Sequence, residues 1–358
     1  MNVLLLTRYG RMGASSRLRS LQYVGWLEAA GMRCTVRPLF PDAMLEARYR
    51  AGGYRPVEVL GAYGRRAWQL MRRHKFDLIW IEKEALPWLP ASFERLLLRG
   101  VPYVLDYDDA IFHNYDLHRS TWVRRLLGRR IDRLMKGASL VVAGNEYLAA
   151  RACDAGASRV EVVPTVIDLG RYELRHTTRR AMTPPRIVWI GSPSTVRYLA
   201  ALSAPLLALT RRVAFSLRVI GGELEIPGVE VECVPWLEAT EAKVLAECDV
   251  GIMPLDDSPW ERGKCGYKLI QYMACALPVV ASSVGVNRQM VRDGENGFLA
   301  DMESSWTARL AQLLSDGALR QAMGKAGRRR VETEYCLQRT APALGELLLQ
   351  TARGQQAS

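Results

Sequence analysis

The 358-residue sequence lacks several features that would define its class at once. No apolar run approaches the roughly 18 residues that a membrane-spanning helix needs. The first apolar stretch, Val3–Leu6, is too short for the core of a signal peptide, so we interpret it as a buried first strand. The seven cysteines include no Cys-x-x-Cys pair, which argues against a zinc ribbon and against a disulfide framework. These absences predict a cytoplasmic protein without a structural metal.

The cysteines are scattered, and Cys34, Cys233 and Cys248 lie in apolar runs. Unpaired cysteine behaves as a small hydrophobic residue in protein interiors. We therefore expect these three to be core thiols.

Positive charge is concentrated in the first half of the chain. The net charge is +12, of which residues 1–175 carry +10 and residues 176–358 carry +2. Such an excess predicts an acidic partner, either a nucleic acid or an anionic membrane. No base-stacking or groove-reading motif is present, so the membrane is the favoured partner and nucleic acid is not expected.

Short apolar runs alternate with amphipathic stretches throughout, a pattern typical of parallel sheets covered by helices on both faces. Helices are expected between the strands, for example over Ser16–Ala30 and Ser92–Arg99. The basic and polar stretch Arg175–Pro185 predicts a linker between two doubly wound sheets. The predicted strands are Val3–Thr7, Cys34–Leu39, Leu78–Ile81, Tyr103–Asp106, Leu140–Ala143 and Val160–Val163, then Arg186–Ile190, Phe215–Ile220, Val229–Cys233, Val250–Met253, Val279–Ala281 and Gly297–Leu299.

The segment Trp260–Ser283 is the most informative in the chain. Gly263 and Gly266 permit a tight loop that exposes backbone N–H groups, and a helix is expected from about Tyr267 to Cys275. A glycine-containing loop that leads into a helix N-terminus is suited to binding anions. With Lys264 and Lys268 beside it, the turn Gly263–Gly266 is predicted to cradle a pyrophosphate. The competing interpretation is a helix packed on a sheet, with two surface lysines.

This segment resembles the donor-binding region of glycosyltransferase family 4, a retaining family with the GT-B fold. That family often has Glu, seven residues and a second Glu, followed by Ala-Met-Ala-x-Gly-x-Pro-Val. This chain has Met-Ala-Cys-Ala-Leu-Pro-Val over residues 273–279, with Gly263 and Gln271 at the two Glu positions. It is similar to a branch that carries Lys-Leu-Leu-Glu/Gln-Tyr-Met there. Gln271 can accept ribose hydrogen bonds through its carbonyl oxygen, but without charge assistance.

The resemblance covers nearly the whole chain. Residues 187–199 resemble the opening of the family's second domain, with Gly191 at the Gly position, Ser192 in place of the usual Arg, and Arg197 where a Lys would stand. A cation near a helix N-terminus is unfavourable without an anion, which favours a phosphate role for Arg197. Lys264 or Lys268 would compensate for the missing Arg.

The family implies an α/β protein of GT-B fold, with two Rossmann-like doubly wound domains facing across a cleft. The expected domains are an acceptor- and membrane-facing domain over 1–175 and a nucleotide-sugar domain over 176–335. A C-terminal helix within 336–358 is expected to pack back on the first domain, ahead of a disordered tail. The donor-binding residues so implied are Gly13, Arg17, Gly191, Ser192, Thr195, Gly266, Lys268, Leu269 and Gln271.

The loop after the first strand contains Gly10 and Gly13, and Ser15 or Ser16 can cap the next helix. In the family this loop reaches the transferred sugar, so Arg17 would meet the donor phosphate or an acidic acceptor. A basic helix face is an equally good interpretation of Arg17.

Three carboxylates lie within residues 106–109, at the end of a predicted strand. They repel one another, so they need partners or raised pKa values. An Asp-x-Asp motif that holds a metal is one interpretation. The family resemblance favours another, in which Asp108 and Asp109 recognise hydroxyls of the sugar or the acceptor. Glu82 and Glu84 are further candidates for acceptor hydroxyls, and Asn145 is predicted to cap a helix.

Residues Arg119–Lys136 are predicted to form one amphipathic helix that faces a membrane. Apolar residues recur at helical spacing, with arginines around them and Asp132 as the only acid. The stretch Gly61–Lys75 adds further tryptophan and arginine. Core packing with a solvated basic face is the alternative. The residues expected at the membrane are Trp122, Arg124, Arg125, Arg129 and Arg130.

These features predict a retaining, metal-independent glycosyltransferase that needs no cofactor. It would move a sugar from a nucleotide-diphospho-sugar to a glycan or lipid-linked acceptor, peripherally on the inner face of the cell membrane, in bacterial cell-surface polysaccharide synthesis. Arg197, Lys264, Asp108 and Asp109 would be its catalytic residues. The alternatives are a catalytically silent GT-B scaffold protein, a GT-B sugar-nucleotide epimerase and a metal-dependent GT-A enzyme.

Overall fold

The computed structural model describes residues 1–172 and 184–354, and the chain divides into two compact units. The first unit holds Met1–Thr165, Gly263–Cys265 and the helix Leu337–Arg353. The second unit holds the described residues of Val166–Arg262 and of Gly266–Cys336. Most of the predicted linker, together with the boundary at residue 175 and the predicted tail beyond Gly354, lies outside the described residues.

This division differs from the predicted domains in two places. Residues 166–172 group with the second unit, and the short segment Gly263–Cys265 groups with the first. The final helix also belongs to the first unit, where Gly345 approaches Leu27.

A parallel six-stranded sheet forms the centre of the first unit, within the residues described. Its order is β2-β1-β3-β4-β5-β6. The strands are β1 (Asn2–Tyr9), β2 (Arg33–Phe40), β3 (Leu78–Glu82), β4 (Tyr103–Tyr107), β5 (Leu140–Ala143) and β6 (Val160–Val162). The helices are α1 (Ala14–Arg19), α2 (Val24–Ala29), α3 (Asp42–Ala51), α4 (Pro56–Met71), α5 (Ala91–Leu98), α6 (His113–Asp116), α7 (Thr121–Leu127), α8 (Arg130–Gly137), α9 (Glu146–Asp154) and, from the end of the chain, α18 (Leu337–Arg353).

The second unit has the same architecture, again counted over its described residues. Its parallel sheet has the order β12-β11-β10-β7-β8-β9. The strands are β7 (Arg186–Ile190), β8 (Ser216–Ile220), β9 (Val231–Val234), β10 (Val250–Met253), β11 (Val279–Ala281) and β12 (Gly297–Leu299). The helices are α10 (Val196–Ala200), α11 (Ser203–Thr210), α12 (Glu241–Ala246), α13 (Pro259–Arg262), α14 (Tyr267–Ala274), α15 (Asn287–Met290), α16 (Glu303–Ser315) and α17 (Gly317–Glu334).

Most strands form at or near their predicted positions because they contain short apolar runs, mainly of Val, Ile and Leu. Strands buried on both faces by helices need such runs. In β1 the run Val3–Leu6 is almost wholly buried, and in β7 so is Ile187–Ile190. The predicted α/β fold with two doubly wound sheets is therefore confirmed.

Two of the local predictions are wrong. The expected helix Ser16–Ala30 is broken into α1, a 3-10 turn over Leu21–Tyr23, and α2. Cys233 is exposed and Cys34 is half-buried, whereas Cys248 is buried as expected. Cys233 lies on β9, which is an edge strand with one neighbour, so one side of this strand lacks the cover that a central strand has.

Candidate active site

The topology of the second unit creates a point where the strand order reverses. The chain runs from β7 to β8 and β9 on one side, then returns to place β10 on the other side of β7. Ligands of doubly wound sheets bind beyond the carboxyl ends of the strands at such a point. The segments that follow β7 and β10 are therefore where a ligand of this unit is expected to bind, and predicted donor residues lie in or directly after them.

The loop after β7 is tightly constrained. The Gly191 N–H donates to the Ile220 carbonyl at 3.0 Å, and a Cβ at Gly191 would lie 2.4 Å from the Trp189 ring. The Ser192 N–H donates to Thr195 Oγ1 at 3.1 Å, and that hydroxyl donates back to the Ser192 carbonyl at 2.9 Å. Ser192 is exposed, so the loop presents a hydroxyl from a fixed backbone.

Arg197 follows this loop and is two-thirds exposed. Its Nη2 donates to the Tyr198 hydroxyl at 2.8 Å and lies 3.5 Å from Glu261 Oε1. Glu261 also accepts hydrogen bonds from the hydroxyls of Tyr198 and Ser258. Burial and the Glu261 hydrogen bond raise the pKa of Tyr198 to about 12. The sequence analysis did not identify these two partners of Arg197, Tyr198 on α10 and Glu261 in the segment after β10.

Gly266 is the N-cap residue of α14, and its φ of +65° lies in the left-handed region that favours glycine. The Lys268 ammonium lies 4.2 Å from the centroid of the Trp189 ring, on the strand that precedes the Gly191 loop. Lys268 therefore brings positive charge to the end of β7.

Leu269 and Gln271 are buried, which corrects two predicted donor contacts. The Leu269 side chain lies in the hydrophobic core, and its N–H donates to the Gly266 carbonyl at 2.9 Å. Gln271 is 3% exposed, and its Nε2 lies 3.5 Å from the Tyr172 hydroxyl. That hydroxyl donates to Glu241. The Gln271 amide thus belongs to an interior polar network rather than to an open ribose site.

The turn Gly263–Gly266 is not the open phosphate cradle that the sequence predicted. Gly263, Cys265 and Gly266 are buried. Asn145 Nδ2 donates to the carbonyls of Gly263 and Lys264, both at 3.0 Å. A Cβ at Gly263 would lie 2.5 Å from Ala110 Cβ, so no larger residue fits there without movement. Residues 263–265 therefore pack in the interior of the first unit. The close approach of Ala110 explains why a glycine, and not a Glu, stands at position 263.

Asn145 was predicted only as a helix cap. The cap is confirmed, since Asn145 Oδ1 accepts from the Leu148 N–H at 3.0 Å. Its amide group also contacts residues 263 and 264, about 120 positions away, and no sequence pattern around Asn145 predicts this contact.

In the first unit, the expectation that the clustered carboxylates need partners is confirmed. Asp106 pairs with Arg19 at 2.7 Å, and both are buried. Burial disfavours the Arg19 charge, but Asp106 outweighs burial and raises the pKa of Arg19. Arg19 is a site residue that the sequence analysis missed.

Asp108 and Asp109 share a second missed cation, Lys83. Its Nζ lies 2.9 Å from Asp108 Oδ1 and 3.3 Å from Asp109 Oδ2, and it donates to Ser15 Oγ at 3.0 Å. Burial opposes both charges, but the attraction between them lowers the pKa of Asp108 and raises that of Lys83. Lys264 Nζ lies 3.7 Å from the other oxygen of Asp109. Both aspartates are thus ion-paired at the carboxyl end of β4, and Lys83 favours the ionised form of Asp108.

Lys83 has a φ of +64°, a left-handed conformation that is strained for a residue with a Cβ. Lys83 comes directly after β3, at the point where the strand order of this sheet reverses between β1 and β3. The sequence signal that was overlooked is a lysine between two glutamates at a strand end.

Glu82 and Glu84 do not lie open to an acceptor, which corrects a further prediction. Glu82 accepts from the Ser16 hydroxyl at 2.6 Å, and it is 1% exposed. Glu84 accepts from the Tyr115 hydroxyl at 2.8 Å and from Arg130 Nε at 3.2 Å. Both carboxylates are used in interior contacts.

The loop after β1 also differs from its predicted donor role. Gly13 caps α1, and a Cβ there would lie 2.4 Å from the Tyr9 Cβ. Arg17 is 5% exposed, and its Nη1 donates to the Arg11 carbonyl at 2.9 Å. The Asp42 carboxylate accepts from the N–H groups of Arg11 and Met12. Arg17 therefore supports the backbone of this loop and is not an open phosphate ligand.

The predicted membrane helix Arg119–Lys136 is two helices, α7 and α8, separated near Gly128. Arg130 is buried, with its guanidinium 2.6 Å from Glu94 Oε2 and 3.2 Å from Glu84 Oε2, so its assignment to a membrane face is wrong. The other predicted membrane residues, Trp122, Arg124, Arg125 and Arg129, are exposed.

Among the residues that the structure describes, no helix has the length and hydrophobicity to cross a bilayer. Over the same residues, no group of three or more His, Cys, Asp or Glu side chains is arranged to hold a metal ion.

Comparison with known proteins finds two family models in this chain. The Glycosyltransferase Family 4 model matches residues 24–171, and the Glycosyl transferases group 1 model matches residues 184–316. The two matches are consecutive; the first covers β2 to β6, and the second covers β7 to β12.

Among curated proteins, the chain is 35% identical over 75 residues to spore coat protein SA of Bacillus subtilis. It is 32% identical over 126 residues to D-inositol 3-phosphate glycosyltransferase of Thermobispora bispora. These matches cover 20% and 35% of this chain, and they span only 20% and 26% of the relatives' own lengths.

Among solved structures, the Anabaena protein Alr3699/HepE, in complex with UDP and glucose, aligns with a TM-score of 0.74. The alignment covers 98% of this chain and 100% of the Anabaena chain at 16% identity, which shows a shared fold. With both family models matched and the fold shared along its length, this chain belongs to the GT-B glycosyltransferases of family 4 and group 1.

Proposed function

We propose that this chain transfers a sugar from a nucleotide-diphospho-sugar, bound by the second unit, to a glycan or lipid-linked acceptor. The observation that carries the proposal is the arrangement at the carboxyl end of β7. There the constrained Gly191 loop, the anchored Arg197 and the Lys268 ammonium lie around a point where the strand order reverses.

A diphosphate suits this arrangement because two cations and a hydroxyl-bearing loop meet there. Arg197 can pair with two phosphate oxygens at once, while Lys268 acts as a point charge. In the reaction, both would stabilise the negative charge that grows on the leaving diphosphate. Solved structures of Alr3699/HepE hold UDP and UDP-glucose, so a UDP-sugar is the first donor to test.

The acceptor is proposed to bind at the carboxyl end of β4. Asp108 and Asp109 are both ion-paired with Lys83, and Asp109 is about a quarter exposed. Carboxylates in this state accept hydrogen bonds from sugar hydroxyls. Lys264, beside Asp109, adds a cation that suits a phosphate-linked acceptor.

Transfer is proposed to retain the configuration of the sugar and to need neither a divalent metal nor a cofactor. The leaving phosphate would help to take the proton of the acceptor hydroxyl. Activity that persists in a chelator would support this, whereas activity that is lost and then restored by Mg²⁺ or Mn²⁺ would contradict it.

We further propose that the first unit binds the inner face of a bacterial cell membrane during cell-surface polysaccharide synthesis. Trp122 and Leu126 on α7 are 69% and 68% exposed, and Trp68 on α4 is half exposed. Exposed arginines accompany them on these helices or within two residues of their ends. Apolar side chains among arginines suit an anionic bilayer surface. The arginines concerned are Arg65, Arg72, Arg124, Arg125 and Arg129.

Titration calorimetry with UDP tests the donor site. Replacing Arg197 or Lys268 by Ala removes a charge-assisted contact to phosphate, so each variant should bind UDP about 10- to 100-fold more weakly. Arg211→Ala, at an exposed position after α11, is the matched control and should bind like the parent. Unchanged affinity in both site variants would show that the diphosphate binds elsewhere.

A silent GT-B scaffold protein is the second candidate. The buried turn at Gly263 and the buried Gln271, which stand where the family often has glutamates, favour it. Tight UDP binding without donor hydrolysis or transfer would support this role. Mass analysis of the products separates transfer from epimerisation of the donor.

A further inference from the structure

A basic cavity opens on the helical layer of the first unit. It has a volume of about 680 Å³ and lies between the end of α7, one face of α8 and the end of α9. This size is within the range of small-molecule sites in proteins. None of the residues proposed for donor or acceptor binding lines it.

Two of the three acids in the cavity are already paired. Arg151, which also lines the cavity, lies 2.7 Å from Asp132 and 3.1 Å from Asp116. Asp116 is also 2.8 Å from His113 Nδ1. Asp154 is the remaining acid of the lining.

Besides Arg151 and Asp154, the lining of the cavity contains four cations: Arg124, Arg129, Arg133 and Lys136. Arg129, Arg133 and Lys136 follow one another at spacings of four and three, which places them on one helix face. All three are exposed, and within the described parts of the chain no carboxylate lies within 4.0 Å of their charged groups. Like charges at this spacing repel, and a bound anion relieves that repulsion.

A fourth cation is fixed at the rim. Arg124 Nη1 donates to the carbonyls of His118 and Arg119, at 2.5 and 3.1 Å, which holds its guanidinium beside the cavity. The same helix carries Trp122 and Leu126, four residues apart and more than two-thirds exposed. The cavity is therefore lined by positive charge, and α7 at its edge carries two exposed apolar side chains.

We propose that this cavity binds the phosphate of a phosphomonoester lipid headgroup, with Trp122 and Leu126 in the adjoining lipid. A phosphomonoester carries between one and two negative charges at neutral pH, more than a phosphodiester, and so suits several converging cations. The inference rests on the proposed membrane association and deepens it, because binding becomes selective for the headgroup.

Vesicle flotation tests the proposal with two lipid compositions of matched surface potential, one containing phosphatidic acid and the other phosphatidylglycerol. The full-length parent should prefer phosphatidic acid. The double variant R133Q/K136Q should bind phosphatidic acid vesicles about 30-fold more weakly and lose the preference. The matched control R119Q/R125Q removes two exposed arginines outside the cavity. It should weaken binding to both compositions alike and keep the preference.

Equal effects of the two double variants on the preference would overturn the site, since only net charge would then matter. Short-chain soluble phosphatidic acid should compete with the vesicles, whereas inorganic phosphate should not. If inorganic phosphate competes equally well, the ligand is a soluble phosphate and the lipid assignment is wrong. UDP affinity of the second unit should be unchanged in both variants, so failure here is distinguishable from failure of the glycosyltransferase proposal.

Discussion

At the scale of single residues, Lys83 is the shared ion-pair partner of two carboxylates at the carboxyl end of β4, those of Asp108 and Asp109. The Lys83 backbone has a strained, left-handed conformation. In Lys83→Met both acids lose a buried partner, which costs about 3–5 kcal/mol of the free energy of unfolding at neutral pH. Because Lys83 lowers the pKa of Asp108, its removal lets burial raise that pKa, and protonation then relieves the unpaired charge. The deficit relative to the parent should therefore shrink as the pH falls from 7 towards 4.

Urea unfolding across this pH range provides the measurement. Lys83→Arg keeps the charge and the backbone strain, and is the control that should show the smaller deficit. A deficit in Lys83→Met that is constant with pH would mean that Lys83 acts through packing alone.

The adjacent residues Arg129 and Arg130 allow a comparison between an exposed and a buried arginine. Arg130 is buried between Glu84 and Glu94, so Arg130→Gln should destabilise the protein by about 3–5 kcal/mol. Arg129 is exposed, and Arg129→Gln should change stability by less than about 0.5 kcal/mol. Equal chemical-denaturation midpoints for the two variants would contradict the buried ion-pair network.

At the scale of elements, the turn before α14 is built for packing. The variant Gly263→Glu restores the acid that the family often has at this position. Its Cβ alone would lie 2.8 Å from the Ala110 nitrogen, so the side chain has no room without movement. We expect a loss of about 1–3 kcal/mol of stability from overpacking and no gain in UDP affinity. Thermal unfolding and calorimetry measure the two effects. A stable variant with tighter UDP binding would show that the turn is adaptable and faces the donor.

At the scale of the whole molecule, the last helix completes the first unit although the second unit precedes it in sequence. Leu344 and Leu348 on α18 are buried, and a Cβ at Gly345 would lie 3.6 Å from Leu27 Cδ2 and 3.8 Å from Met32 Cε. Leu344→Ala should cost about 2–5 kcal/mol in the first unit through the cavity it leaves. UDP affinity should be kept, because the residues proposed to bind the donor lie in the second unit. Glu346→Ala, exposed on the same helix, is the control for thermal unfolding, and equal losses in both variants would contradict this packing.

Local sequence patterns were sufficient to predict the strands of both sheets. The bounds of β5, β7, β10, β11 and β12 match their predictions, and the other strands differ by a few residues at their ends. A run of Val, Ile and Leu between breakers is a local property, and burial on both faces demands such a run. The same patterns placed Gly191, Arg197 and Lys268 at strand ends or helix starts, where parallel sheets bind ligands.

The sequence by itself therefore determined the two doubly wound sheets and the position of the donor motifs along them. Only the tertiary structure decided which charged groups are open. Arg19, Arg130 and the turn at Gly263 find their partners 87, 46 and about 118 residues away. Helical or strand periodicity carries no information about such distant partners. A buried charge is stable only when its partner is in place, so its role is settled by the fold rather than by its neighbours in sequence.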